Sequence, residues 1–239
     1  MRRLLTEFGD EVAITYVMGG LAREYEGDLS FLIIEWLDAA DRSRMPIDPR
    51  LWAGSGPLRS SFPACMAVKA AAEQGAQAEA RYLRVLREGI MCHRRRLDRT
   101  EPLVEEARRA GLDAERFRID LESAAIVEAF GADLEEARGA PGLPALRFDG
   151  HGDEAVWRSG AESYGELRAA AMAAGAVPAA AERPGILAAL DRFGTMAAAE
   201  VEAVCDLPGP RANAELWRLA AEWRVKPVRV LTGDLWERA

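Results

Sequence analysis

Three cysteines, two histidines and a Gly-Leu-Pro segment carry most of the chemistry open to this 239-residue chain. Cys65 follows Ser61-Phe62-Pro63-Ala64, one turn inside an expected helix, where the helix dipole favours a thiolate. Its neighbours are apolar, which suits a small core residue equally well. Cys92 precedes His93-Arg94-Arg95-Arg96, cations able to lower a thiol pKa. Cys65 and Cys92 are therefore the candidate reactive thiols, while Cys205 lies on an apolar helical face and reads as core. Efficient disulfide exchange needs a thiolate and a second thiol close by to resolve the mixed disulfide, yet the sequence contains no CxxC. No Cys/His cluster has structural-zinc spacing either, and adjacent Cys92 and His93 diverge on a helix, so no metal site is expected. The second histidine, His151, stands alone.

The elements that must position these groups follow from pattern. Leu4, Leu5 and Phe8 mark one face of a helix that Gly9-Asp10 ends. Val12 to Met18 is β-branched and aromatic, closes on Gly19-Gly20, and is expected to be a strand covered on both faces of a sheet. From about 28 to 138 the pattern is helical. Leu29, Ile33, Trp36 and Leu37 form one stripe, and Trp52 to Leu58 is a turn-rich segment. Ser60 or Ser61 caps a helix with Pro63 in its first turn. Helices follow over 77–93, from Asp98 or Thr100 to Gly111, and over 121–137 with a break near Gly131. After Gly142-Leu143-Pro144 come a short strand, Ala145–Phe148, a hairpin signal at Asp149-Gly150, a returning strand and a helix from Ser163. A small-residue linker runs to Arg183. Three helices and a terminal hairpin over 184–239 make a winged-helix pattern, in which Arg211 and Arg218 are offset by Glu215 and Glu222.

Charge narrows the function classes. A net charge of −8 and a pI near 5.1 argue against nucleic-acid binding, which depends on basic surface. The run His93–Arg96 reads as a solvated helix end. No apolar run reaches the roughly 18 residues that cross a bilayer, and Glu7 and Asp10 break any leader at the N-terminus, so a cytoplasmic protein is expected.

Four segments carry a resemblance. Phe8–Leu21 looks like the exit of the first helix and the second strand of DsbA-like proteins, the branch of the thioredoxin superfamily with a helical insertion. Ser60–Ala71 resembles the start of a helix in their inserted domain, Gly111–Leu121 the end of that insert, and Gly142–Phe148 their cis-proline loop. The resemblance covers residues 4 to about 174. The C-terminal part resembles the extension of cytosolic DsbA-like proteins and protease-adaptor relatives. It implies an α/β thioredoxin-like domain over 1–178, with a helical insertion at about 28–138, and a winged-helix-like unit over 184–239. Met1 falls inside the family's first helix, so the family's first strand and CxxC turn are missing from this chain. Either residues upstream supply them, or the protein has lost the motif; a sheet lacking that strand exposes an edge that a second copy could cover.

The resemblance also implies a site. Pro144 is the expected cis-proline with Leu143 before it, and its backbone is expected to pair with an extended peptide. Trp52, Ser61 and Phe62 are expected to border the same groove. Two function classes stay open. One is an enzyme acting on a protein or peptide thiol or disulfide, or a glutathione-dependent isomerase or transferase. The other is a non-redox scaffold or protease-adaptor-like protein that holds a partner. Without CxxC, negligible disulfide-reductase activity is expected of the chain as it stands, and no cofactor is required, glutathione being admitted by the family alone.

Overall fold

The computed structural model of the protein describes residues 1–53, 58–150, 155–179 and 182–239. Residues 54–57 of the turn-rich segment, His151, and residues 180–181 of the linker lie outside them.

Helix α1 (Arg2–Phe8) buries Leu4 and Phe8 and stops at Gly9, whose φ of +56° is open to glycine at little cost. Val12 is extended, and residues 12–18 form no strand. Local preference is present: Val12, Ile14 and Tyr16 are half-buried while Ala13 and Thr15 are exposed, the period of a strand. A ladder also requires a neighbour, and among the described residues no strand pairs with this segment. The expected sheet containing Ile14 is therefore corrected to an unpaired segment.

Six helices follow: α2 (Phe31–Ser43), α3 (Phe62–Ala72), α4 (Ala76–Met91), α5 (Thr100–Arg109), α6 (Ala114–Leu121) and α7 (Ala124–Arg138). Their starts obey capping chemistry. Asp113 accepts from the backbone N–H groups of Glu115 and Arg116, and Ser123 from that of Ile126. Helix α7 continues through Gly131 without the expected break; Phe130 and Asp133, buried on either side of the glycine, hold it in register. On α2 the inward stripe takes in Leu32, Ile33, Trp36 and Ala40, and Leu37 is exposed instead.

The cis-proline segment leads into β1 (Ala145–Phe148), which pairs antiparallel with β2 (Val156–Ser159), Ala145 opposite Ser159. Helix α8 (Tyr164–Ala173) opens on a reciprocal cap between Ser163 and Glu166. The rest is α9 (Ile186–Phe193), β3 (Met196–Ala197), α10 (Ala198–Cys205), α11 (Gly209–Ala221), β4 (Val225–Val230) and β5 (Gly233–Arg238), with sheet order β3-β5-β4. This is the winged-helix arrangement anticipated; only the two-residue β3, antiparallel to β5, escaped the pattern because its residues sit directly before a helix.

The chain divides into two compact units: Met1–Ile14 with Ala140–Arg229 and Asp234–Ala239, and Thr15–Gly139 with Val230–Gly233. In the first, Arg2 donates to the carbonyls of Phe193 and Thr195 at 2.8 and 2.9 Å, fixing α1 to the winged helix. Glu7 accepts from Tyr164 Oη and Arg168 Nε at 2.5 Å and from Arg183 at 2.8 Å. Burial pushes its carboxyl up, but the hydrogen bonds from Arg183, Tyr164 and Arg168 prevail and hold it at about 2. In the second unit, Tyr82 packs on Phe117 and donates to the Leu103 carbonyl, so a buried hydroxyl is satisfied inside an aliphatic core of Leu86, Val104 and Ile126.

Candidate functional site

The expected site residues fall into two groups, one in each unit. In the second unit, residues 19–25 lie against the N-terminal end of α3. Gly20 (φ +55°) sits where an added Cβ would stand 2.7 Å from Leu134 and 3.0 Å from Phe62 and Phe130, so only glycine lets the loop approach. Phe62 meets Phe130 edge-on at 5.0 Å. Ser61 occupies the N-cap position, but its hydroxyl turns away from α3: it donates to the Ala22 carbonyl and accepts from the Ala22 N–H, both at 2.9 Å. The helix start is served by Ser60, whose Oγ accepts from Phe62 N–H at 3.1 Å. Tyr25 N–H donates to Arg59, and the Tyr25 ring meets Trp52 at 5.1 Å. Trp52 is buried between Tyr25 and Trp36, so it seats the loop and α2 and does not line an open groove. Its indole N–H has no partner among the described residues.

Cys65 lies beneath this loop, half-buried. Burial pushes its thiol up, Asp133 adds to that, and the Gly20 N–H only partly offsets them, so the helix-end thiolate argument fails against desolvation. Burial likewise raises Tyr25, with Cys65 adding to the shift and Ser61 opposing it. Both groups keep their protons, and the arrangement offers donors and apolar surface without a nucleophile.

One turn further along α3, Lys69 pairs with Asp133 at 3.1 Å and donates to the Tyr16 carbonyl at 3.4 Å, while Asp133 accepts from Met18 N–H at 2.8 Å. Backbone groups of the 12–18 segment that a strand would have paired thus go to two side chains. Buried Glu79 stands near; burial raises its carboxyl against the pull of Lys69. Tyr25, Lys69 and Asp133 were not singled out from sequence. The available signal was Lys69 itself, the one charge in Phe62–Ala72.

Cys92 Sγ donates to the Pro46 carbonyl at 3.2 Å. The arginines beside it are occupied: Arg94 pairs with Asp48 at 3.3 Å and Arg95 with Glu106, almost wholly buried, at 2.9 Å. The run is therefore more than a solvated helix end. Cys205 is buried, which pushes its thiol to about 11. None of the three cysteines is in a disulfide. Among the described residues no three His, Cys, Asp or Glu side chains gather as metal ligands, and no helix is long and apolar enough to cross a membrane.

The other group belongs to the first unit. The Leu143–Pro144 peptide is cis, as expected from the resemblance, and Leu143 is half exposed just before β1. The Pro144 carbonyl accepts from Gly160 N–H at 2.9 Å, closing the open end of the β1–β2 pair.

A mostly helical chain with small sheets and a cis-proline before a short strand describes a thioredoxin-like protein. The thioredoxin family model matches residues 1–140, more than half the chain, and the chain belongs to that family. Its similarity to curated proteins extends further. It is 27% identical over 250 residues to the ClpXP adapter protein SpxH of Halalkalibacterium halodurans, covering 99% of this chain and 81% of that protein. It is 29% identical over 208 residues to the protein of the same name from Bacillus subtilis, covering 84% and 70%. The Shouchella clausii protein of that name is 29% identical over 209 residues, covering 84% and 68%.

Proposed function

We propose that this protein is a non-redox scaffold that acts as an adaptor for a ClpXP-type protease, working in the cytoplasm without a cofactor. The observation that carries the reading is the similarity to ClpXP adapter proteins over 99% of the chain, winged helix included. The chemistry agrees: Cys65 and Cys205 are raised by burial, and the sequence has no CxxC to resolve a mixed disulfide. The DsbA-like features of Phe8–Leu21 and Gly142–Phe148 fit a thioredoxin-like ancestry in which the peptide-holding loop persists. We assign partner contact to Leu143 and Pro144 in one unit and to the loop seated by Trp52, Ser61 and Phe62 in the other.

The test is a trapping experiment in the host. Tagged full-length chain is expressed beside a proteolytically dead ClpP, and captured proteins are identified by mass spectrometry. Recovery of the ClpX unfoldase together with a client whose half-life lengthens on deletion of this gene is the expected result. If neither is recovered and no protein's lifetime changes, the adaptor reading falls. Robust turnover by the purified chain in an insulin-reduction assay would restore the oxidoreductase alternative.

A further inference from the structure

A helix that is apolar all round calls for cover on every side. Helix α2 comes close. On its inner face Leu32, Ile33 and Trp36 pack against Leu29, Leu51 and Trp52, and Ala40 is buried. Its outer face then presents Phe31 at 52%, Ile34 at 64% and Leu37 at 40% exposure. Phe31, Ile34, Asp38 and Asp41 follow at intervals of three and four, the row of a helix that packs another helix.

Charge says what kind of helix. Between residues 24 and 41 stand Glu24, Glu26, Asp28, Glu35, Asp38 and Asp41, with no Lys or Arg inside the run; Arg23 precedes it and Arg42 and Arg44 follow it, leaving the stretch 23–44 acidic by three charges (six acids against three arginines). Glu24, Glu26, Glu35, Asp38 and Asp41 are all exposed, and none makes an ion pair with a described residue. Several acids on other helices are answered on the spot, Glu101 by Arg118, Glu105 by Arg108 and Glu135 by Arg138. An apolar row inside an unanswered acidic rim is complementary to a basic amphipathic surface, where buried apolar anchors supply affinity and the rim supplies sign and on-rate. The same sign repels an anionic lipid surface.

We infer that the outer face of α2 docks a basic amphipathic helix of a protein partner, with Phe31 and Ile34 as anchors and Glu35, Asp38 and Asp41 selecting its cations. The inference deepens the adaptor reading by locating a partner surface and rests on it only for the partner's role.

The experiment uses the full chain and a synthetic fluorescein-labelled helix of about 18 residues, long enough to be helical, with Leu at i, i+3, i+4 and i+7 and Lys elsewhere. A second helix keeps the Leu positions and carries Glu for Lys. Anisotropy titration is expected to show micromolar binding of the basic helix alone, weakened about tenfold by Ile34→Glu, and by Asp38→Lys with Asp41→Lys. Ile119→Glu, on exposed α6 surface, leaves it unchanged. Thermal melts of each variant confirm that these exposed positions leave the fold intact. Equal binding of the acidic helix, absence of binding, or indifference to the α2 variants overturns the proposal. So does a dimer in sedimentation that Ile34→Glu dissolves, which assigns the face to a second copy, or binding of the chain to anionic phospholipid vesicles. Because the titration contains no protease, its failure leaves the trapping result standing, and the reverse.

Discussion

Helices α2 and α11 are each 13 residues long and each shows large apolar side chains to solvent, yet they handle charge in opposite ways. On α11, Trp217 is half exposed, but its ring leans edge-on against buried Trp236 at 4.9 Å. Arg218 bridges Glu215 at 2.9 Å and Glu222 at 2.5 Å, and Arg224 meets Glu222 at 3.8 Å, so each acid has a cation beside it. The tryptophan roofs a core. On α2, Phe31 and Ile34 point away from the core that Trp52 and Trp36 build, and Glu35, Asp38 and Asp41 make no ion pair with a described residue. Exposure alone thus does not mark an interface. What distinguishes the two is whether the apolar residue has a seat and the surrounding charge an answer.

The comparison can be broken or sharpened, beginning with the seats. Trp236→Ala removes the floor under Trp217 and is expected to destabilise the winged helix by about 3–5 kcal/mol, visible as an early melting transition. If the transition stays put, Trp217 is not a roof and α11 must be reconsidered as a docking face. Trp52→Ala removes the seat of α2 and is expected to cost about 3 kcal/mol, with amide exchange rising through 31–43. Retained protection there would place the anchor of α2 elsewhere.

Answered carboxylates should also respond to acid in their own way. Glu7 is the strongest case: its folded pKa of about 2 lies below the unfolded value of 4.5, so its contribution is complete above pH 4.5 and is lost as pH falls toward 2. Glu7→Gln is expected to cost about 1–2 kcal/mol at pH 7, trimmed by solvent around half-exposed Arg168. Urea melts should show the gap between native and variant protein closing steadily below pH 4.5; a gap independent of pH would mean that the carboxylate is held by shape and not by charge. The smallest effect is expected on the open face itself. Ile34→Ser should change stability by no more than about 0.5 kcal/mol, since nothing in the fold rests on it. A larger loss in a chemical melt would show that the outer face of α2 already has a cover.

Much of this was legible beforehand. The helix start at Ser163 was set by a short polar side chain that bonds its own backbone, and the winged helix by its helix-helix-helix-hairpin order, whereas the helix expected from Leu121 begins only after the Ser123 cap. Leu143 and Pro144 were named from the resemblance to DsbA-like proteins, and the cis bond is where that resemblance placed it. Where the reading failed, the deciding partner was remote. Val12–Met18 has strand composition and strand periodicity but no strand beside it, and its backbone groups are met by Lys69 and Asp133, more than fifty and a hundred residues away.

The sequence alone determined the properties that act over one or two turns: caps, the run of acids from Glu24 to Asp41, and the absence of a CxxC from these 239 residues. Only the tertiary structure decided which charges are answered and which thiols are buried. Burial and ion pairing depend on residues brought together from distant parts of the chain, as when Arg95 reaches Glu106 and Asp133 crowds Cys65, and a linear pattern carries no record of those distances.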